Sequence, residues 1–387
     1  MLKIRQLLIY SYVLLMPLDN FDVLPISLSN LTLMILFGIY IIEGFKIKIK
    51  NVSSKFLLPI LFIFLFIVFN NLINIILNSY DTSKINGIAF YIFIILFFIF
   101  ALDERNKISL KNMFKVTLIS IFISVFFGYA EYFAYTFKGI FIFSNPVITL
   151  NGIRIKGTYF DPNYFAIMAS FGIVLSIDTI ENKIFKWLFA LYFVSSIILT
   201  QSRMGLLAII LYIVIRYGIN KRIKSLYYLL ATIIGVFATN LAYEKIVNYN
   251  MASTNMRLDL IMNSLFEIAN KPITGYGYGH RVDIGAYILE THNTYLQILL
   301  DGGLILFLIT IVPLFISMIQ IIFKYRNKDN FKMNRYRIIV ICSSLLLLFQ
   351  INFLSYFYIK YFWLIYFFVI KYIVEFQKEK EQRLNLT

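Results

Sequence analysis

THNTYLQILLDGGLILFLITIVPLFISMIQIIFKYRNK, residues 291–328, decides the fold. From Thr294 to Phe323 this run carries one charged side chain, Asp301. At 1.5 Å per helical residue it is long enough to cross the ~30 Å hydrocarbon core of a bilayer. It opens on a polar His292-Asn293 pair and closes on Lys324, Arg326 and Lys328. A membrane helix with basic residues at one end places that end in the cytoplasm, so His292 is expected on the other side.

The rest of the chain repeats the pattern. Further apolar runs lie at 4–18, 26–43, 56–77, 88–102, 114–137, 164–180, 184–200, 204–217, 226–243, 338–354 and 356–375, about twelve spans with the quoted one. Composition agrees: 60% of the 387 residues are hydrophobic and 14% are charged, more apolar surface than a water-soluble core can hide. An 18% aromatic content fits lipid-facing helices with tyrosine-rich interfaces. The chain therefore reads as an all-α membrane protein, one polytopic domain over 1–387. Lys3 and Arg5 precede an apolar stretch as in a signal peptide, but Pro17, Asp19 and Asn20 follow without a small-residue cleavage site, which makes it a first span.

A net charge of +16 would suggest nucleic acid in a soluble protein. Here most Lys and Arg residues sit in alternate short gaps between apolar runs, the mark of cytoplasmic loops, so no nucleic-acid partner is expected. The alternation predicts a cytoplasmic membrane location with both termini cytoplasmic and membrane lipids as surroundings. Lys84, Lys138, Arg154, Lys156, Arg203, Lys245, Arg257, Lys271, Arg281 and Lys360 fall outside that pattern. Most of them lie in or beside two long external loops, 138–163 and 244–293. The single cysteine, Cys342, excludes an internal disulfide.

In the larger loop, Leu258, Ile261, Met262, Leu265 and Ala269 recur at helical spacing behind Ser253 or Thr254 as N-cap. This predicts an amphipathic helix on the outer membrane surface, with Arg257 in its first turn, where the helix dipole disfavours a cation. After Pro272, Thr274-Gly-Tyr-Gly-Tyr-Gly279 alternates glycine with Tyr276 and Tyr278. A dinucleotide fingerprint needs a strand before it and a helix after it, and a potassium filter needs a compact two-span unit. A flexible turn, or a backbone approaching a bulky polar ligand closely, is left.

His292 is one of only two histidines, and its imidazole can exchange a proton near neutral pH, with Glu290 close enough in sequence to orient it. Arg203, in Gln201-Ser-Arg-Met-Gly205, carries a planar fork suited to pyrophosphate, and Arg154 and Lys156 offer the same from the first loop. Asp161 and Pro162 are placed to cap and open a helix. Within the apolar runs, Glu131, Asp301 and the stripe Asn70, Asn71, Asn74 and Asn78 are costly unless they face a polar cleft.

Four pieces in order resemble the O-antigen ligase and polymerase superfamily, the Wzy-like integral membrane glycosyltransferases. They are the Arg-x-x-Gly-Thr-x-x-Asp-Pro-Asn run from Arg154 to Asn163, the Ser-Arg-x-Gly run from Ser202, the Arg257 helix with Pro272 and the glycine turn, and His292-Asn293 ahead of Leu299 to Gly303. The resemblance implies a metal-independent, cofactor-free transferase of the GT-C-like type acting on an oligosaccharide carried by a polyprenyl pyrophosphate of the undecaprenyl kind. It implies catalytic roles for Arg203, Arg257 and His292. Arg154, Lys156, Asn163, Tyr276, Tyr278, Asn293 and Asp301 would then bind substrate. Met204 stands where glycine is common in the family, and Asp301 where glutamate is frequent. The implied function is polymerisation of repeat units into O-antigen or capsule, with a chain-length regulator as a candidate partner. The alternatives are a ligase moving finished chains to lipid A or another acceptor, and a transporter or flippase, which would show inverted repeats of broken helices with charges near the midplane.

Overall fold

A computed structural model of the chain describes residues 1–20, 26–49, 51–77, 82–143, 146–149, 152–220, 251–285, 288–325 and 331–384. Twelve α-helices are seen among them. The first five are α1 (Leu2–Leu15), α2 (Leu28–Ile42), α3 (Asn51–Leu77), α4 (Thr82–Leu102) and α5 (Leu110–Lys138). Then come α6 (Pro162–Thr179), α7 (Lys183–Leu199) and α8 (Arg203–Asn220). The last four are α9 (Met251–Asn270), α10 (Thr294–Phe323), α11 (Phe331–Gln350) and α12 (Lys360–Leu384). The expected span at 226–243 lies outside the described residues.

Among the described residues, four stretches are long and apolar enough to cross a membrane: Leu58–Ile76, Lys84–Leu102, Leu110–Lys138 and Thr294–Phe323. Burial sorts the helices into a centre and a rim. Helices α6 and α12 are buried on nearly every side, from Phe165 to Leu175 in one and from Tyr361 to Ile370 in the other, as expected of helices that are hydrophobic all round. Around them, α3, α7 and α10 expose large apolar side chains, Phe62 and Phe69, Trp187 and Leu191, Phe315 and Phe323 among them. A soluble protein rarely leaves so continuous an apolar surface uncovered, and lipid is the solvent that fits it.

Consecutive helices pair as hairpins, α1 with α2, α3 with α4 and α6 with α7, while α11 packs on α6, α8 and α12. Where helices touch closely, glycine makes the room: an added Cβ at Gly172 would meet the Phe193 ring at 2.8 Å, and one at Gly205 would meet Ala166 at 2.8 Å. Among the described residues, several basic side chains from the gaps assigned to the cytoplasm meet acidic partners at one end of the bundle. Arg5 pairs with Glu43 at 2.7 Å, Arg216 with Asp178 at 2.9 Å, and Lys378 with Glu104 at 2.8 Å.

At the opposite end, both long loops contain something the sequence did not announce. Strand β1 (Val147–Thr149) pairs antiparallel with β2 (Gly152–Arg154), and β3 (Val282–Asp283) with β4 (Ile288–Leu289). Two- and three-residue strands are too short to leave a period-two signal, so an otherwise all-helical reading passes over them.

Candidate active site

The candidate residues stand at the starts of α6, α8 and α10, with Arg257 in the second turn of α9. At the start of α6, Asp161 accepts a 2.6 Å hydrogen bond from the Asn163 N–H and Pro162 occupies the first turn, as capping rules require. At the start of α8, Gln201 takes a left-handed backbone, φ +54, and the Ser202 hydroxyl accepts from the Gly205 N–H at 3.3 Å. Ser202 and Gly205 thus build the turn, and Arg203 between them stands exposed at the helix N-terminus. That position offers a cation nothing from the helix dipole.

Arg154 braces this corner from below. Its Nε donates to the Thr200 carbonyl at 2.7 Å and its Nη2 to Asn163 Oδ1 at 3.4 Å, tying β2 to the end of α7 and the start of α6. Burial lowers its pKa and Asp161 opposes that shift. Lys156 is buried, and its charge acts on Glu131 in the neighbouring α5. Two residues expected to grip substrate therefore have protein partners, Lys156 being buried while Arg203 is exposed.

His292 marks the start of α10. Its backbone is left-handed, φ +50, and it is bracketed by Thr291, whose hydroxyl donates to the Asn293 carbonyl at 2.7 Å. A non-glycine residue held there costs of order 1–3 kcal/mol, a strain found most often at functional positions. The imidazole is exposed at the rim. Its pKa is lowered by partial desolvation and then by the Arg257 cation, against the opposing pull of Asp161. Asp161 thus acts on Arg154 and on His292, and Arg257 acts on His292. This web of fields joins the starts of α6 and α10 to α9, with Arg203 three residues from the Thr200 carbonyl that holds Arg154.

Asn293 is a helix cap: its Oδ1 accepts from the N–H groups of Tyr295 and Leu296 at 2.9 and 3.2 Å. Glu290, expected to orient His292, makes no hydrogen bond among the described residues; burial raises its pKa and Arg281 opposes the rise. It lines a cavity of about 520 Å³ together with Phe160, Tyr164, Tyr358, Asp19 and Lys360.

The helix α9 differs from expectation at its start. It is helical from Met251, so Ser253 and Thr254 lie inside it and Arg257 is in its second turn, beyond the first-turn dipole argument. Leu260 and Ser264 face the protein, whereas Leu258, Met262, Leu265 and Phe266 are exposed. The apolar stripe read from the sequence is the outward face, and Arg257 is exposed beside it.

The glycine alternation is not a flexible turn. Its backbone lies against a break in α10, where Gly303 has φ +61 and interrupts the helix. Tyr276 N–H donates to the Leu300 carbonyl at 2.7 Å and Gly277 N–H to the Asp301 carbonyl at 2.8 Å. From α3, Asn70 Nδ2 donates to the carbonyls of Thr274 and Asp301 at 2.9 and 2.8 Å, while Asn71 Oδ1 accepts from Tyr278 N–H at 2.7 Å. The asparagine stripe thus meets irregular backbone rather than an open cleft, because peptide groups freed by a helix break inside an apolar bundle need internal partners. Asn78 lies outside the described residues.

Asp301 is consumed in the same joint. Its carboxylate takes hydrogen bonds from Tyr358 Oη and, at 3.0 Å, from Gln297 Nε2, and it meets the backbone of Gly279 and His280. The Tyr278 ring packs on Tyr358 at 4.5 Å between centroids, and Tyr276 stacks on His280 at 4.3 Å with Lys271 over its face. Tyr276, Tyr278 and Asp301 therefore hold the loop in place.

Residues 188–311, about a third of the chain, match the family model described as O-antigen ligase. That match supports membership of the O-antigen ligase/polymerase superfamily. The matched segment contains Arg203, Arg257 and His292 and ends just past the break in α10; the Arg154 to Asn163 run precedes it. Members of the superfamily act on lipid-linked oligosaccharides. A search of curated proteins found no match to the chain.

Proposed function

We propose that the protein polymerises polyprenyl-pyrophosphate-linked oligosaccharide repeats into a surface polysaccharide on the external face of the cytoplasmic membrane, through about twelve spans arranged in GT-C-like fashion. What supports this reading is that Arg257 and Asp161 both act on His292, and that Arg154, under the field of the same Asp161, bonds the Thr200 carbonyl three residues before Arg203.

In the proposed step an acceptor hydroxyl attacks the anomeric carbon of the donor. The bond from that carbon to the carrier pyrophosphate breaks, and the pyrophosphate leaves with the electron pair. Arg203 and Arg257 stabilise the growing charge, each by planar donor pairs that match phosphate oxygens. His292 takes the acceptor proton. The Arg257 cation and partial desolvation favour its neutral form, which is the form a base needs.

A ligase is the second reading, favoured by the description of the matching family model. Purified protein incubated with the lipid-linked repeat alone separates the two. A ladder of products is the outcome for a polymerase; turnover only after a second acceptor is added belongs to a ligase.

A further inference from the structure

The cavity bordered by Glu290 has no part in the mechanism above, yet its lining is specific. It measures about 520 Å³, within the range of small-molecule sites. Its walls are the rings of Tyr159, Phe160, Tyr164 and Tyr358, with the Glu290 carboxylate among them. Most of the polar groups there are engaged. Tyr164 Oη donates to the Ser355 carbonyl at 3.1 Å and Tyr358 Oη to Asp301. Lys360 Nζ lies within 2.7 Å of oxygens on Asp19, Ser29 and Asn30.

Glu290 is the exception. Its carboxylate has Arg281 as its charged neighbour but takes no hydrogen bond among the described residues, and it borders the cavity. A carboxylate removed from bulk water without donors is costly, and a ligand rich in hydroxyls would supply them. Aromatic faces beside an acceptor-only group suit a sugar ring, whose C–H face packs on the π-system while its hydroxyls donate at the edge. A polyprenyl tail would pack on the rings and leave Glu290 without donors. The rim joins the cavity to the reaction centre twice: Phe160 precedes Asp161, and Glu290 lies two residues before His292.

We propose that this cavity is the subsite for the acceptor saccharide, with Phe160 and Tyr164 as its platform and Glu290 accepting a sugar hydroxyl, so that the attacking hydroxyl emerges at His292. The inference rests on the polymerase reading and names where its acceptor lies. Phe160 is 72% exposed, so truncating it leaves the core intact, and Glu290→Gln keeps shape while removing the charge.

The test uses the full-length protein in lipid nanodiscs and, as probe, the free repeat-unit oligosaccharide released from its carrier by mild acid, followed by saturation-transfer NMR. A charge-assisted hydrogen bond corresponds to about ten-fold or more in affinity, so Glu290→Gln is expected to weaken binding by that factor and Phe160→Ala several-fold. Arg203→Ala is expected to bind the oligosaccharide normally while failing to turn over. Unchanged binding in both cavity variants, or displacement of the oligosaccharide by polyprenyl phosphate, overturns the subsite and leaves the polymerase reading standing if wild-type turnover persists. Wild-type protein that neither turns over nor binds the oligosaccharide overturns both.

Discussion

Replacing Gly275 with alanine tests how the external loop is held. Gly275 has φ +64, and a Cβ built there would lie 2.6 Å from the Asp301 carbonyl carbon and 2.7 Å from the Gly302 nitrogen, with the Leu300 oxygen closer still. All three are backbone atoms, so no side chain can swing aside. The left-handed conformation costs alanine ~1–2 kcal/mol. Forcing the strand off α10 also breaks the Tyr276 to Leu300 and Gly277 to Asp301 hydrogen bonds, and each buried group left unsatisfied costs ~1–3 kcal/mol. Together the loss is about 3–8 kcal/mol. Gly285 is the matched control: its φ is +82, but nothing lies within 4 Å of an added Cβ, so only the backbone term of ~1–2 kcal/mol applies. Unfolding of the two variants in mixed micelles, followed by helical circular dichroism, should show Gly275→Ala destabilised by at least ~2 kcal/mol more than Gly285→Ala. A gap below ~1 kcal/mol refutes the claim that the glycine run is clamped to the broken helix.

Four further outcomes follow from the structure. In a His280→Gln background, where His292 is the remaining histidine, Arg257→Gln removes a cation that disfavours imidazolium, so the His292 resonance should titrate at higher pH and the acid limb of activity should move up with it. Asp161→Asn keeps a capping side chain but removes the anion that favours imidazolium, so the same titration should move to lower pH; shifts of equal sign in the two variants contradict the arrangement. Met262→Trp on the exposed face of α9 should be quenched by lipids brominated near the headgroup, and unquenched emission rules out a membrane-lying helix. Asn70→Ala takes the side-chain donor from the Thr274 carbonyl and one of two donors, beside Gly277 N–H, from the Asp301 carbonyl, and should cost ~1–3 kcal/mol in the same micelle assay, whereas no loss excludes its role as a brace.

Much of the fold was legible because apolar runs and basic gaps alternate in the chain itself. The run from Thr294 to Phe323 needed no neighbour to be read as a spanning helix, and Asp161-Pro162 announced the start of α6. What was not legible depends on atoms distant in sequence. The asparagines of α3 look like the lining of a polar cleft until the glycine run, some two hundred residues later, is seen docked on them. Glu290 lies two residues from His292 in sequence yet borders the cavity without bonding the imidazole. The signal that could have separated binders from braces was local chemistry: Asn293 and Asp161 stand at helix starts, where capping accounts for them. Arg203 lies two residues after the left-handed Gln201 and His292 is itself left-handed, a backbone feature that sequence does not display.

The central claim is that Arg203, Arg257 and His292 act together on a carrier pyrophosphate. It is tested most directly by the rate at which purified protein releases carrier pyrophosphate from the lipid-linked repeat, compared with Arg203→Ala, Arg257→Ala and His292→Ala at matched folded abundance. The account expects each arginine variant to fall ~10²-fold to 10³-fold and the histidine variant ~10²-fold to 10⁴-fold. Wild-type rates in all three variants would contradict it.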